Sequence, residues 1–119
     1  PEVLAEALEL GIIDEPAEWN EGVSRADLVY LATPISKIIE LLPVTDALVR
    51  PGAVITDSGS TKVEICRAAS RLAGRGCFIG GHPMAGKEMQ GCSAADAALF
   101  EGRTYFLTPG DRGEASPGL

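Results

Sequence analysis

ADLVYLATPISKIIELLPVTDALVRPGAVITDSGSTKVEICRAASRLAGRGCFIGGHP, residues 26–83, is the stretch that decides the fold. It opens with Leu28-Val29-Tyr30-Leu31-Ala32, a continuous apolar run that stops at Thr33-Pro34. A run apolar on both faces is the pattern of a strand covered by helices on each side, as in parallel sheets. Residues 35–49 then carry apolar side chains at helical spacing, with Pro43 expected to kink the helix or start a second one. Pro51-Gly52 reads as a turn, 53–56 as a strand, 62–72 as a helix and 77–79 as another strand. Short strands alternating with helices predict an α/β fold, a doubly wound parallel sheet of Rossmann-like type.

Working outward, residues 3–10 place Val3, Leu4, Ala7 and Leu8 on one face of an amphipathic helix ending at Gly11. Ile12-Ile13 is a candidate short strand, and 18–24 a brief polar connection with room for one helical turn. Beyond the central stretch, 80–91 reads as a glycine-rich loop, 94–100 as a helix and 104–107 as a last strand. Gly110, Gly113, Pro117 and Gly118 predict a frayed tail or the start of a linker over 110–119, leaving 1–109 as one partial domain.

Composition bounds the function. The chain has 119 residues, 45% of them hydrophobic, enough for one packed core and too few for two ordinary domains. Its apolar runs fall well short of the roughly 18 residues needed to cross a bilayer. Pro1 is preceded by no initiator methionine and the first residues lack the features of a secretory signal, so Pro1 is not expected to be the natural N-terminus. Seventeen acids against ten scattered bases give a formal charge of −7, which disfavours a nucleic-acid surface but not a small anionic ligand. Cys66, Cys77 and Cys92 form no CxxC pair, and a single histidine disfavours a Cys/His zinc site, so no metal is expected. Reduced thiols in a cytoplasmic protein are the simplest reading.

In open α/β sheets ligands bind outside the carboxyl ends of the strands. Three segments fall there: Thr33-Pro34, 57–62 (DSGSTK) and 80–88 (GGHPMAGKE). Thr33-Pro34 is equally well explained as a strand end that opens a helix. In the second segment, Thr61 and Glu64 have capping-box spacing, which would direct helix N-terminal amides toward Ser60, with Lys62 adding a positive charge. An ordinary polar cap explains the same residues. In the third, His82 is the only histidine, set on a stiff turn between glycines and a proline. An unperturbed imidazole titrates near 6.5 and is suited to accept a proton at neutral pH. A lone loop histidine is more often structural than catalytic, and its surroundings are what change that weighting.

Those surroundings carry a resemblance. ADLVYLATPI (26–35), VITDSGSTK (54–62), FIGGHPMAGKEMQG (78–91) and LFEGRTYFLTP (99–109) resemble successive signature segments of the prephenate and arogenate dehydrogenase family, in the same order and at similar separations. ALELGIIDE (7–15) extends the likeness more loosely. The resemblance implies an NAD- or NADP-dependent oxidative decarboxylation of prephenate or arogenate in tyrosine biosynthesis. It implies that His82 takes the proton from the ring hydroxyl and that Ser60 hydrogen-bonds the same hydroxyl. Thr33, Pro34, Asp57, Ser58 and Gly59 would then belong to the cofactor site, and Gly86 and Glu88 would join Ser60 and His82 at the substrate. A homodimeric parent acting on a small molecule, with no nucleic acid or membrane partner, is the accompanying expectation.

The chain also departs from the family pattern. It contains no G-x-G-x-x-G turn and no ribose-reading acid about 20 residues beyond one. The phosphate cradle and the later helical domain are therefore expected to lie outside it, and these residues alone are expected to be nearly inactive. Gln90 stands where the family commonly has a small hydroxyl residue. Two other readings remain: another nicotinamide-dependent hydroxyacid dehydrogenase, or a non-catalytic Rossmann-like binding or regulatory module.

Overall fold

A computed structural model of the chain describes residues 2–84, Ala98 and 101–109. The order is α1 (Glu2–Glu9), α2 (Trp19–Arg25), β1 (Leu28–Leu31), α3 (Ile35–Leu48), β2 (Val54–Asp57), α4 (Val63–Ser70), β3 (Cys77–Pro83) and β4 (Tyr105–Pro109). The strands lie side by side as β1-β2-β3-β4. β1 and β2 are parallel, with Leu31 opposite Asp57, and β2 and β3 are parallel, with Thr56 opposite Ile79. β4 closes the sheet antiparallel to β3, pairing Phe106 with His82. The sheet is thus mixed, in the manner of doubly wound folds that carry one antiparallel edge strand.

One core holds these elements together. Val29, Leu31 and Ile55 from the sheet are buried against Val23 of α2, Ile38 and Leu42 of α3 and Ile65 of α4. β1 is buried on alternate residues only: Leu28 is 56% exposed and Tyr30 43% exposed. The expectation of a strand covered on both faces is corrected here. β1 is the outermost strand of the described sheet, so its apolar residues on one side meet the core while the others remain at the surface.

Three further local expectations change. Ile12 forms no strand, because its N–H bonds to the Ala7 carbonyl at 2.9 Å while Gly11 N–H bonds to Leu8 at 3.1 Å. This is a Schellman ending of α1, with Gly11 at φ 70° supplying the left-handed residue. Pro43 neither ends α3 nor starts a new helix. The cost of a proline inside a helix, roughly 3 kcal/mol, is opposed by the complete burial of the apolar side chains of Ile38 and Leu42 on the same helix. Asp46 also accepts the Gly76 N–H at 2.9 Å and the Gly74 N–H at 3.2 Å, tying the helix to the turn before β3. Finally, β3 does not stop at Ile79 but runs to Pro83, so His82 sits within a strand rather than in a loop.

The expected helix over 94–100 lies outside the described residues except for Ala98, and so do Gly86, Glu88, Gln90, Cys92 and the expected tail over 110–119. Among the described residues no helix is long and apolar enough to cross a membrane.

Candidate active site

The carboxyl ends of β1 and β2 lie level, and each is followed by a sharp exit toward a helix. After β1 the chain passes through exposed Thr33 and Pro34 into α3, whose first turn has no side-chain cap. After β2 it passes through half-buried Ser58, buried Gly59 and exposed Ser60 before α4. Ser58 N–H bonds to the Leu31 carbonyl at 3.1 Å, which holds the two exits together.

Asp57, the last residue of β2, organises this edge. Its side chain has no exposed surface. Oδ2 accepts the Gly59 N–H at 2.8 Å and a hydrogen bond from the Lys62 ammonium, and Oδ1 accepts the Gly81 N–H at 3.1 Å. A buried carboxylate needs donors and a counter-charge, and both are supplied from within the chain. Asp57, expected at the cofactor site, thus has both side-chain oxygens engaged by groups of the chain itself.

Lys62 is corrected more directly. Instead of lending its charge to an anion at the helix start, it spends that charge on Asp57. The capping box does not form either. α4 begins at Val63 with Lys62 in the cap position and no side-chain cap bond. Glu64 turns instead to Arg67, at 3.2 Å on the exposed side of the helix. Neutralising a fully buried carboxylate outweighs what Lys62 would gain in water, where exposed pairs contribute about 0–1 kcal/mol.

Two adjacent glycines reveal the direction of the His82 side chain. A Cβ on Gly80 would lie 3.2 Å from Lys62 Cδ and 3.4 Å from Thr108. A Cβ on Gly81 would lie 2.5 Å from both the Asp57 carbonyl oxygen and the Tyr105 hydroxyl. Side chains alternate along a strand, so His82 shares the face of Gly80, Lys62 and Thr108. His82 is half-buried, and its β4 partner Phe106 is exposed. The structure therefore brings His82 to the side of the sheet that carries the loop from Asp57 to Lys62, in which Ser60 lies.

The opposite face holds a pair of tyrosines that local pattern reading missed. The Tyr105 hydroxyl donates to the Tyr30 hydroxyl at 3.1 Å and lies 3.5 Å from the Asp57 carbonyl. They come from β4 and β1, 75 positions apart, and pass over Gly81. Nothing local signals such a pair. The Asp57–Gly59 bond, by contrast, is an Asx turn, for which the D-S-G order is a readable signal.

The Tyr105 phenol is pushed well above the ordinary tyrosine range, chiefly by burial of its hydroxyl and then by Tyr30 and the charge of Asp57. The folded chain thus holds this proton more tightly than the unfolded chain, whose tyrosines titrate near 10. The associated stability is complete below about pH 10 and is lost as pH rises through the higher folded value. Tyr105 is 40% exposed overall, so solvent screening keeps the effect modest. We expect urea midpoints measured between neutral pH and pH ~11 to decline more steeply for the native sequence than for Tyr105→Phe; parallel curves would contradict this.

Known proteins resemble this chain in sequence and fold. Residues 1–116 match the family model of the nucleotide-binding domain of prephenate dehydrogenase. A prephenate dehydrogenase from Lactococcus lactis subsp. cremoris is 46% identical over 101 residues, which cover 82% of this chain and 28% of that protein. Arogenate dehydrogenase from Synechocystis superposes with a TM-score of 0.85 at 34% identity, over 95% of this chain and 40% of its own. Prephenate dehydrogenase from Aquifex aeolicus, crystallised with hydroxyphenyl propionate and NAD+, gives a TM-score of 0.82 at 32% identity, over 96% of this chain and 40% of its own. The chain spans less than a third of its curated Lactococcus relative, at 28%.

Proposed function

The chain belongs to the prephenate dehydrogenase family, and from that premise we propose that it forms the catalytic edge of an enzyme that oxidatively decarboxylates prephenate or arogenate with NAD or NADP. The observation that carries the proposal is the junction at Asp57, which joins the loop holding Ser60 to the strand holding His82.

The dinucleotide implied by the family suits the donors at this edge. Thr33, Ser58 and Ser60 offer hydroxyls just beyond two parallel strand ends, where ribose and carboxamide groups find partners. Gly59 keeps the loop close, since a Cβ there would lie 2.6 Å from Ile65 Cδ1 and 2.9 Å from Asp57 Oδ2. Thr33, Pro34, Ser58 and Gly59 are thus assigned to the nicotinamide end, with Asp57 as their anchor. When bound there, the dinucleotide would supply a hydride acceptor for the ring carbon bearing the hydroxyl.

His82 has the other task. Its imidazole accepts the proton of the ring hydroxyl as that carbon becomes a carbonyl, while the Ser60 hydroxyl hydrogen-bonds the same oxygen and orients it. The ring carboxylate then leaves as carbon dioxide, its bonding pair passing through the ring to the carbonyl oxygen, which takes up a proton to become a phenol; the aromatic ring so formed supplies the driving force. The protein need only position the hydroxyl and take up its proton. Gly86 and Glu88 are assigned to the substrate side of the same site, and the active form is a cytoplasmic homodimer acting on a small molecule.

The test is an assay of the full-length enzyme containing these residues, with prephenate, arogenate and simple hydroxyacids, each with NAD and with NADP. Formation of reduced nicotinamide with matching release of carbon dioxide is expected for at least one of the first two substrates. Reduction with simple hydroxyacids alone would overturn the assignment.

A further inference from the structure

The two groups assigned to the substrate hydroxyl reach the site by separate routes, Ser60 on a loop and His82 on a strand, and one carboxylate touches the backbone just before each. Gly59, whose amide donates to Asp57 Oδ2 at 2.8 Å, immediately precedes Ser60. Gly81, whose amide donates to Oδ1 at 3.1 Å, immediately precedes His82. Lys62 supplies the compensating charge from the start of α4. We propose that Asp57 is a positioning residue which sets the separation of Ser60 and His82 by holding both preceding amides on its two oxygens. The inference rests on the catalytic reading above and goes beyond it, because it gives Asp57 a role exerted through the Gly59 and Gly81 amides.

The surroundings leave this clamp little play. Bonds to a charged acceptor are roughly twice as strong as neutral ones, and this acceptor has no exposed surface. Both clamped residues are glycines whose missing Cβ leaves room for it. At Gly59 a Cβ would come within 2.9 Å of Asp57 Oδ2, and at Gly81 within 2.5 Å of the Asp57 carbonyl oxygen. The spacing of loop and strand is therefore set by one side chain from the strand between β1 and β3. An asparagine side chain in its place has nearly the same shape, yet it has a single acceptor oxygen and cannot hold both amides and the ammonium.

The test is a double-mutant cycle in the full-length enzyme comprising Asp57→Asn, His82→Asn and the combined variant, with kcat, the dinucleotide KM and melting temperature measured for each. Asp57→Asn is expected to lower kcat about 10²-fold, the scale of a 1 Å misplacement. In the His82→Asn background the same change is expected to cost less than about 3-fold, because no imidazole remains to be positioned. An unchanged kcat for Asp57→Asn, or an equal loss in both backgrounds, would overturn the inference, the latter marking a merely structural role. If His82→Asn keeps full turnover, the catalytic reading itself fails and this inference with it; if His82→Asn is inactive while Asp57→Asn is fully active, only the positioning role fails.

Amide hydrogen exchange in the unsubstituted protein tests the same point without requiring the Asp57→Asn variant to fold. The Gly59 amide, outside any helix or strand, should exchange at least about 10²-fold more slowly than in an unstructured peptide, and the Gly81 amide should do the same. Free exchange at Gly59 would overturn the clamp.

Discussion

Replacing His82 by asparagine in the full-length enzyme should lower kcat by about 10²- to 10⁴-fold, the usual contribution of a positioned general base. The substitution leaves the strand intact, since the β3–β4 pairing of residue 82 with Phe106 is a backbone contact that asparagine also makes. The side chain is only half-buried, so little packing is lost. Asparagine retains hydrogen-bonding capacity but cannot take up a proton at neutral pH. The loss should therefore appear in kcat, with the dinucleotide KM nearly unchanged, as for a group that acts in the transition state. Steady-state kinetics alongside a thermal melt would check both parts. Undiminished turnover would remove His82 as the base.

The second large effect is on stability. Gly81→Ala should destabilise the fold by about 3 kcal/mol or more, at or above the upper end of the usual cost of overpacking. The new methyl would sit 2.5 Å from the Asp57 carbonyl oxygen, 2.5 Å from the Tyr105 hydroxyl and 2.9 Å from Tyr105 Cε1. The first neighbour is the backbone of the last residue of β2, which cannot step aside without disturbing its pairing with Leu31 of β1. Moving Tyr105 breaks its bond to Tyr30. Gly80→Ala, one residue earlier, is the control: its nearest neighbour is Lys62 Cδ at 3.2 Å, part of a flexible side chain. That substitution should cost less than about 1 kcal/mol, because a long side chain yields more easily than backbone. Urea unfolding of both variants measures the contrast, and equal costs would show that the Tyr105–Asp57 contact does not constrain residue 81.

Much of the architecture is legible in the sequence. The apolar runs at 28–32 and 53–56 form β1 and β2, and the helical spacing after Thr33-Pro34 forms α3. The end of α1 at Gly11 is readable for a local reason: only a residue tolerant of positive φ closes a helix in this way. The family likeness carried by the four quoted segments matches the nucleotide-binding domain found over residues 1–116. Where local reading fails, a long-range contact outweighs a local preference. The strand through Gly80 and Gly81 is extended by its partner β4. Glycines suggest a loop when read alone, yet here they are the residues that let Lys62 and Tyr105 lie across the sheet.

By itself, then, the sequence determined the alternation of strands and helices, the placing of Ser60 and His82 after or near strand ends, and the family. These depend on periodicity and on residue types within a few positions of one another. Tertiary structure alone decided which face His82 occupies and that Tyr30 meets Tyr105. Those outcomes depend on register between strands, where a shift of one residue sends every side chain to the other face, and no local pattern carries that information.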